Sequence, residues 1–184
     1  MEIVELTTDT WPSLEKLFSA NKTVGGCWCC WFMRPNRDVQ ADWGERNKDF
    51  LRARVEENAP LGLLAVSADD PLGWVAVAPR PTYPRLATSR ITRSDAGPDT
   101  WSVTCFFVHR TARRRGLANT LLGAAVDYAG ARGAAVVEGH PVDTGGERRG
   151  SGDLYHGTLA MFLSAGFELV ELRGTSRALV RRVL

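Results

Sequence analysis

Residues 101–130 constrain this chain more than any other stretch. They begin with an uncharged apolar run, WSVTCFFV (101–108), and pass through a basic turn, HRTARRRG (109–116). In the segment that follows, Ala118, Leu121, Leu122, Ala125, Val126 and Ala129 recur at the spacing of one helix face. Both alternating faces of the run are mostly apolar, as expected of a strand covered on both sides. A helix N-terminus presents unpaired N–H groups and the positive end of the helix dipole. Gly116 and Ala118 put no bulky side chain in the way, and Arg113, Arg114 and Arg115 add positive charge at the same point. The unit therefore reads as an anion site suited to a pyrophosphate. Three arginines alone would read as a solvated charge run; the flanking strand and helix change the reading.

The remainder fits an α/β sheet. MEIVELT at the start reads as a short strand, and Thr8 or Asp9 can cap a helix to about Ala20, with Pro12 in its first turn. Asp42-Trp43-Gly44-Glu45 has capping-box spacing and opens a helix carrying Phe50, Leu51 and Val55 that stops by Pro60. Two apolar runs, 61–67 and 73–79, flank the turn signal Asp69-Asp70-Pro71 and predict a hairpin. Residues 80–100 read as a loop with one helical turn. Gly130 or Gly133 ends the helix after the basic turn. A strand at 134–142, a Gly-rich loop at 143–153, a helix near 156–165 ending at Gly166, and two strands, FELVEL and RALVRRVL, complete a mixed α/β sheet in one domain over 1–184.

Composition narrows the function. A net charge of +2 gives no electrostatic case for nucleic acid or an acidic membrane. No apolar run approaches the ~18 residues a membrane helix needs, and the acidic N-terminus is not a signal peptide. A reducing cytoplasm follows as the expectation, with free thiols. Three of the four cysteines crowd into GGCWCCWF (25–32), which is not disulfide-framework spacing. Nor does Cys27-x-Cys29-Cys30 provide good zinc bite geometry with a second ligand pair, so no metal is expected. No βαβ thioredoxin pattern surrounds the numerical CxxC from Cys27 to Cys30.

The segment Arg113-Arg114-Arg115-Gly116-Leu117-Ala118 matches (Gln/Arg)-x-x-Gly-x-(Gly/Ala) and resembles the signature of the GCN5-related N-acetyltransferase (GNAT) family. Ala165-Gly166-Phe167 resembles that family's late Gly-Phe segment, and the element order fits over the whole chain. The resemblance implies a single-domain mixed sheet with a splayed central strand pair that binds acetyl-CoA as co-substrate. It implies pyrophosphate contacts from Arg113, Arg114, Arg115 and Gly116, continuing through Leu117, Ala118 and Asn119. It also implies pantetheine pairing along Phe106, Phe107 and Val108. The activity implied is acetyl transfer to an amine of a small molecule or peptide by direct attack, with a strand N–H stabilising the oxyanion.

The chain departs from the family in two places. Phe162 stands where many members carry the tyrosine that protonates the leaving thiolate, and Tyr155 is the substitute. Strand 101–108 carries no glutamate base. Glu138, on the strand facing the splay within apolar AAVV, is the candidate base, since desolvation raises a carboxyl pKa. His140, Asp153 and His156 remain further candidates, and a water relay is an alternative. Cys105 reads as a small core residue. Cys27, Trp28 and Trp31 are expected to shape the acceptor side, with Tyr83 on the opposite wall. The departures also motivate a different class of function, a non-catalytic acyl-CoA binding or sensing module. A homodimer is left open.

Overall fold

The structure, a computed structural model, describes residues 1–68, 70–150 and 152–184. Asp69 of the expected hairpin turn lies outside the described residues. Seven strands pair into one sheet: β1 (Glu2–Glu5), β2 (Gly62–Ser67), β3 (Asp70–Pro79), β4 (Thr100–Val108), β5 (Val136–Gly139), β6 (Glu168–Arg173) and β7 (Arg177–Val183). Their order is β1-β2-β3-β4-β5-β7-β6, so the uncharged run is the middle strand. Among the seven described strands, β4 and β5 pair in parallel and the other neighbours antiparallel.

Helices cover both faces: α1 (Trp11–Ser19), α2 (Val24–Cys27), α3 (Asn36–Ala41), α4 (Glu45–Glu56), α5 (Arg85–Thr88), α6 (Leu117–Gly130) and α7 (Leu159–Ser164). Side chains alternate across a strand, so β2 and β3 feed two cores at once. Leu64, Trp74 and Ala76 pack with Leu14 and Phe18 of α1, Leu51 of α4 and the Cys29–Cys30 segment. Ala65, Val75 and Val77 pack with Leu121, Leu122 and Val126 of α6 and with Val137 and Val180. This is why these strands read as continuous apolar runs. Each fully buried Leu or Phe contributes roughly 1.5–3 kcal/mol of transfer free energy.

Three local expectations change. Asp42 does not cap α4: Gly44 is the N-cap there, and Asp42 ends α3 and pairs with Arg34 and Arg46. The cysteine stretch, for which the sequence set no secondary structure, is helical, with α2 running into a 3-10 turn at Cys30–Phe32 through two left-handed residues, Trp28 (φ 47°) and Cys29 (φ 55°). Gly26 is required there, because a Cβ would meet the Trp43 indole at 2.0 Å. The strand expected at 134–142 is only four residues long, and the helix expected from 156 begins at Leu159.

Candidate active site

The short β5 makes the site. β4 pairs with β5 only from Thr100 to Val103, opposite Val136 to Gly139. Beyond Gly139 the Phe162 ring fills the space a Cβ would take, at 2.4 Å, and Pro141 has no N–H to offer a ladder. The register between β3 and β4 slips so that Thr104 bulges between Val103 and Cys105. Residues 105–108 stay paired with β3 but are not paired with β5, and a slot opens on that side.

Segment 155–158 borders that slot, with Tyr155 and His156 in a turn that Gly157 (φ 75°) completes. The Tyr155 carbonyl accepts from the Phe106 N–H (2.6 Å), the Val142 N–H donates to Gly157 (3.0 Å), and the Leu159 N–H donates to Val142 (2.8 Å). These ties explain why the helix starts late. Amides alternate in direction along a strand, so the Val108 N–H shares the slot side with Phe106.

A cavity of about 500 Å³ occupies the slot. One wall is Cys105, Phe106, Phe107 and Val108; Tyr155 and Gly157 form the other. Val24, Cys27, Trp31 and Phe32 close over it. At its far end it reaches Arg113 and Ala118, where α6 begins. Arg114 (φ 61°) and Gly116 (φ 77°) turn the chain there, α6 has no side-chain cap, and nothing lies within 4 Å of a Cβ built on Gly116. Arg113, Arg114 and Arg115 are exposed and, among the described residues, have no carboxylate partner. A narrow apolar slot with a free strand amide, ending at an uncapped helix N-terminus, fits an acyl-pantetheine arm and its phosphates.

The model of the "Acetyltransferase (GNAT) family" matches residues 11–145, more than half of the chain. The chain belongs to the GNAT acetyltransferase family. Comparison with curated proteins gives no match. Among solved structures, the PaiA N-acetyltransferase of Thermoplasma acidophilum, in complex with coenzyme A, is 12% identical, with a TM-score of 0.57. That alignment covers 100% of this chain and 98% of the other. The ribosomal-protein-alanine N-acetyltransferase of Brucella melitensis is 18% identical over 100% of both chains, with a TM-score of 0.56. The aminoglycoside 6'-acetyltransferase type Ii is 12% identical over 100% of this chain and 97% of that one, with a TM-score of 0.59. At these identities the structures establish the shared fold.

Within this GNAT frame the expected site residues separate. Phe106, Phe107, Val108, Arg113 and Ala118 line the slot, as do Cys27, Trp31 and Tyr155. Arg114, Arg115, Gly116 and Asn119 sit exposed around the start of α6, while Leu117 is buried in the core. Trp28 is buried and stacks on Trp11, ring centroids 5.8 Å apart. Tyr83 is 1% exposed, packs with the same core and lines neither this cavity nor the one described next.

Glu138, also fully buried, accepts from Arg80 and from Arg181 (3.3 Å), with the Ser94 hydroxyl 2.9 and 3.0 Å from its two oxygens. Arg80 also donates to the Leu86 and Thr92 carbonyls. The cluster staples residues 80–94 to β5, and the Glu138 carboxylate lines neither cavity. The three thiols of the cysteine stretch, Cys27, Cys29 and Cys30, are held protonated. Burial pushes Cys27 up to about 11 and raises Cys30, while Cys29, whose Sγ lies 3.5 Å from that of Cys105, is raised first by that contact and then by burial.

A second cavity, of about 280 Å³, lies beyond Trp31 and Phe32, which wall both. Residues 85–92 form one side of it, and His140, His156 and Arg177 the other. Burial, followed by the neighbouring Arg80, depresses His140 to about 3, and burial with Arg177 holds His156 well below the ordinary imidazole value. Both rings are therefore neutral at pH 7. Sequence reasoning weighed both histidines but missed Arg177, an arginine on a terminal strand with no local signal.

Proposed function

We propose that the protein transfers an acetyl group from acetyl-CoA to a small amine by direct attack, with both reactants bound together. The observation that carries this is the slot itself. It runs from the uncapped start of α6, along the free edge of β4 at Phe106–Val108, to Tyr155 beside His156, whose rings lie 4.1 Å apart. Because the Phe106 N–H already bonds to Tyr155, strand pairing with the pantetheine arm falls to the Val108 end.

In the reaction the amine nitrogen bonds to the thioester carbon and the carbon–sulfur bond breaks. One proton must leave nitrogen and one must reach sulfur. Tyr155 supplies the second: it lines the slot, and burial raises its phenol, so it stays protonated through neutral pH. The first leaves through water, because burial makes the neutral His156 ring a weak base. Its Nδ1, which has no hydrogen-bond partner among the described residues, accepts a hydrogen bond from the amine and orients it. A cysteine acyl-enzyme is disfavoured, because the thiolate is the nucleophile and burial holds these thiols protonated.

The test combines turnover with intact mass. Incubation with acetyl-CoA alone should leave the protein mass unchanged, whereas an amine should yield acetylated product. Tyr155→Phe should lower kcat about a hundredfold or more while coenzyme A affinity is retained. An acetylated protein species would establish the cysteine route instead. Coenzyme A binding without turnover on a broad amine panel would leave a binding module.

A further inference from the structure

The second cavity is a built polar site that the acetyl-transfer chemistry leaves unexplained. His140 and His156 are 2% and 5% exposed, and each leaves one ring nitrogen, Nε2 and Nδ1 respectively, without a partner. Arg177 contributes a third orphan, a buried Nη1. Buried polar atoms are normally paired, so three orphans on residues lining one cavity mark a place shaped for a polar ligand.

The charges say which kind. The Arg177 guanidinium sits 6.0 Å from the Tyr155 ring centroid, and that of Arg85 lies 4.6 Å from the Trp31 centroid. Among the described residues neither has a carboxylate partner, although Arg85 donates to the Trp31 carbonyl. Aromatic faces hold a guanidinium in place without neutralising it. The nearby acids are committed elsewhere: Glu138 to Arg80 and Arg181, and Glu171 to Arg173. The site therefore carries two fixed, uncompensated positive charges beside two neutral imidazoles. Those charges match an anion, and an imidazole lone pair matches an N–H donor. At about 280 Å³ the cavity falls just below the roughly 300–1,000 Å³ of drug-sized sites.

We propose that this cavity is the acceptor subsite and that it selects a small amino carboxylate, with the carboxylate on Arg177 and Arg85 and the amine toward His156. The placement rests on the acetyl-transfer reading only for the direction in which the amine points, through the Trp31–Phe32 boundary into the slot. Ser89 lies on the same wall; its hydroxyl accepts from the Ile91 N–H and keeps its own proton to donate to the carboxylate, whereas that of Thr88 is given to the Arg85 carbonyl. The ion pairs from Glu138 hold that wall in place.

Calorimetric titration, with and without coenzyme A, tests this on three matched ligand sets: free amino acids, the amines that lack their carboxylate, and the corresponding aminophosphonates. The amino acid of at least one set should bind roughly tenfold or more tighter than its amine, the scale of one charged hydrogen bond. Arg177→Gln and Arg85→Gln should each erase that preference while coenzyme A binding and the melting temperature are kept. Two variants are used because Arg177 also packs on Tyr155, and the ligand comparison on the unaltered protein needs neither. Equal binding of acid and amine, or no binding in either condition, overturns the proposal. Preference for the phosphonate over the carboxylate also overturns it. An amino acid that binds with this preference and is not acetylated upholds the subsite and removes the acetyl-transfer reading instead.

Discussion

Glu138 shows how a residue's surroundings decide its role. In sequence it is a lone carboxylate in AAVVEG, the pattern of a desolvated base. In the fold it meets Arg80 from 58 residues away and Arg181 from 43 residues away, and it becomes an ion-pair centre. No local pattern encodes those partners. Glu138→Gln should therefore act on stability. Breaking a buried pair by removing one partner costs about 3–5 kcal/mol. A chain of this size melts about 2–4 °C lower per kcal/mol, so a drop on the order of 10 °C is expected by thermal denaturation. At temperatures where the variant is folded, its kcat should stay within a few-fold of the parent. A hundredfold loss of kcat at unchanged melting temperature would restore Glu138 as a base.

At the scale of elements, the basic turn and the amphipathic α6 were legible because their pattern is local and periodic. The slot was legible only as a resemblance. Its cause is a set of long-range fits: the Phe162 ring against Gly139, Pro141 ending β5, and Tyr155–Thr158 tied to Phe106 and Val142. The cysteine stretch follows the same logic. Its glycines answer to Phe18 and Trp43, which no motif search connects to them. Phe162 offers a test of this packing. It is fully buried, with its ring edge-on to Phe106 and Phe167. Phe162→Tyr restores the family's common residue in name but buries a hydroxyl in an apolar cluster. An unpaired buried hydroxyl costs about 1–3 kcal/mol, so the urea midpoint should fall. Turnover should not rise, because Tyr155 already lines the slot. A several-fold gain in kcat would mean that α7 presents position 162 to the slot.

For the whole molecule, the two buried histidines couple folding to pH. The folded state holds His140 near 3 and His156 well below its ordinary value, while the unfolded chain returns both toward 6.5. Between these limits the unfolded state binds more protons, so stability rises with pH and is lost on acidification. It is fully present above about 6.5 and falls as pH drops toward 3. The carboxylates depressed by ion pairs, Glu15, Asp42, Asp70 and Asp95, start from 4.5 or 3.8 and move lower, so their contribution is lost mainly below the upper part of that range. The slope between about pH 6 and 5 therefore belongs chiefly to the imidazoles. Two protons taken up on unfolding correspond to about 2.7 kcal/mol per pH unit at the steepest. Urea unfolding at half-unit pH steps should show stability dropping through this window. His140→Gln, which removes one of the two groups, should roughly halve the slope while leaving the loss below pH 4 in place. A flat profile from pH 7 to 5 would mean that the rings take up protons in the folded state, with the arginine-lined cavity admitting enough water or counter-ion to solvate them.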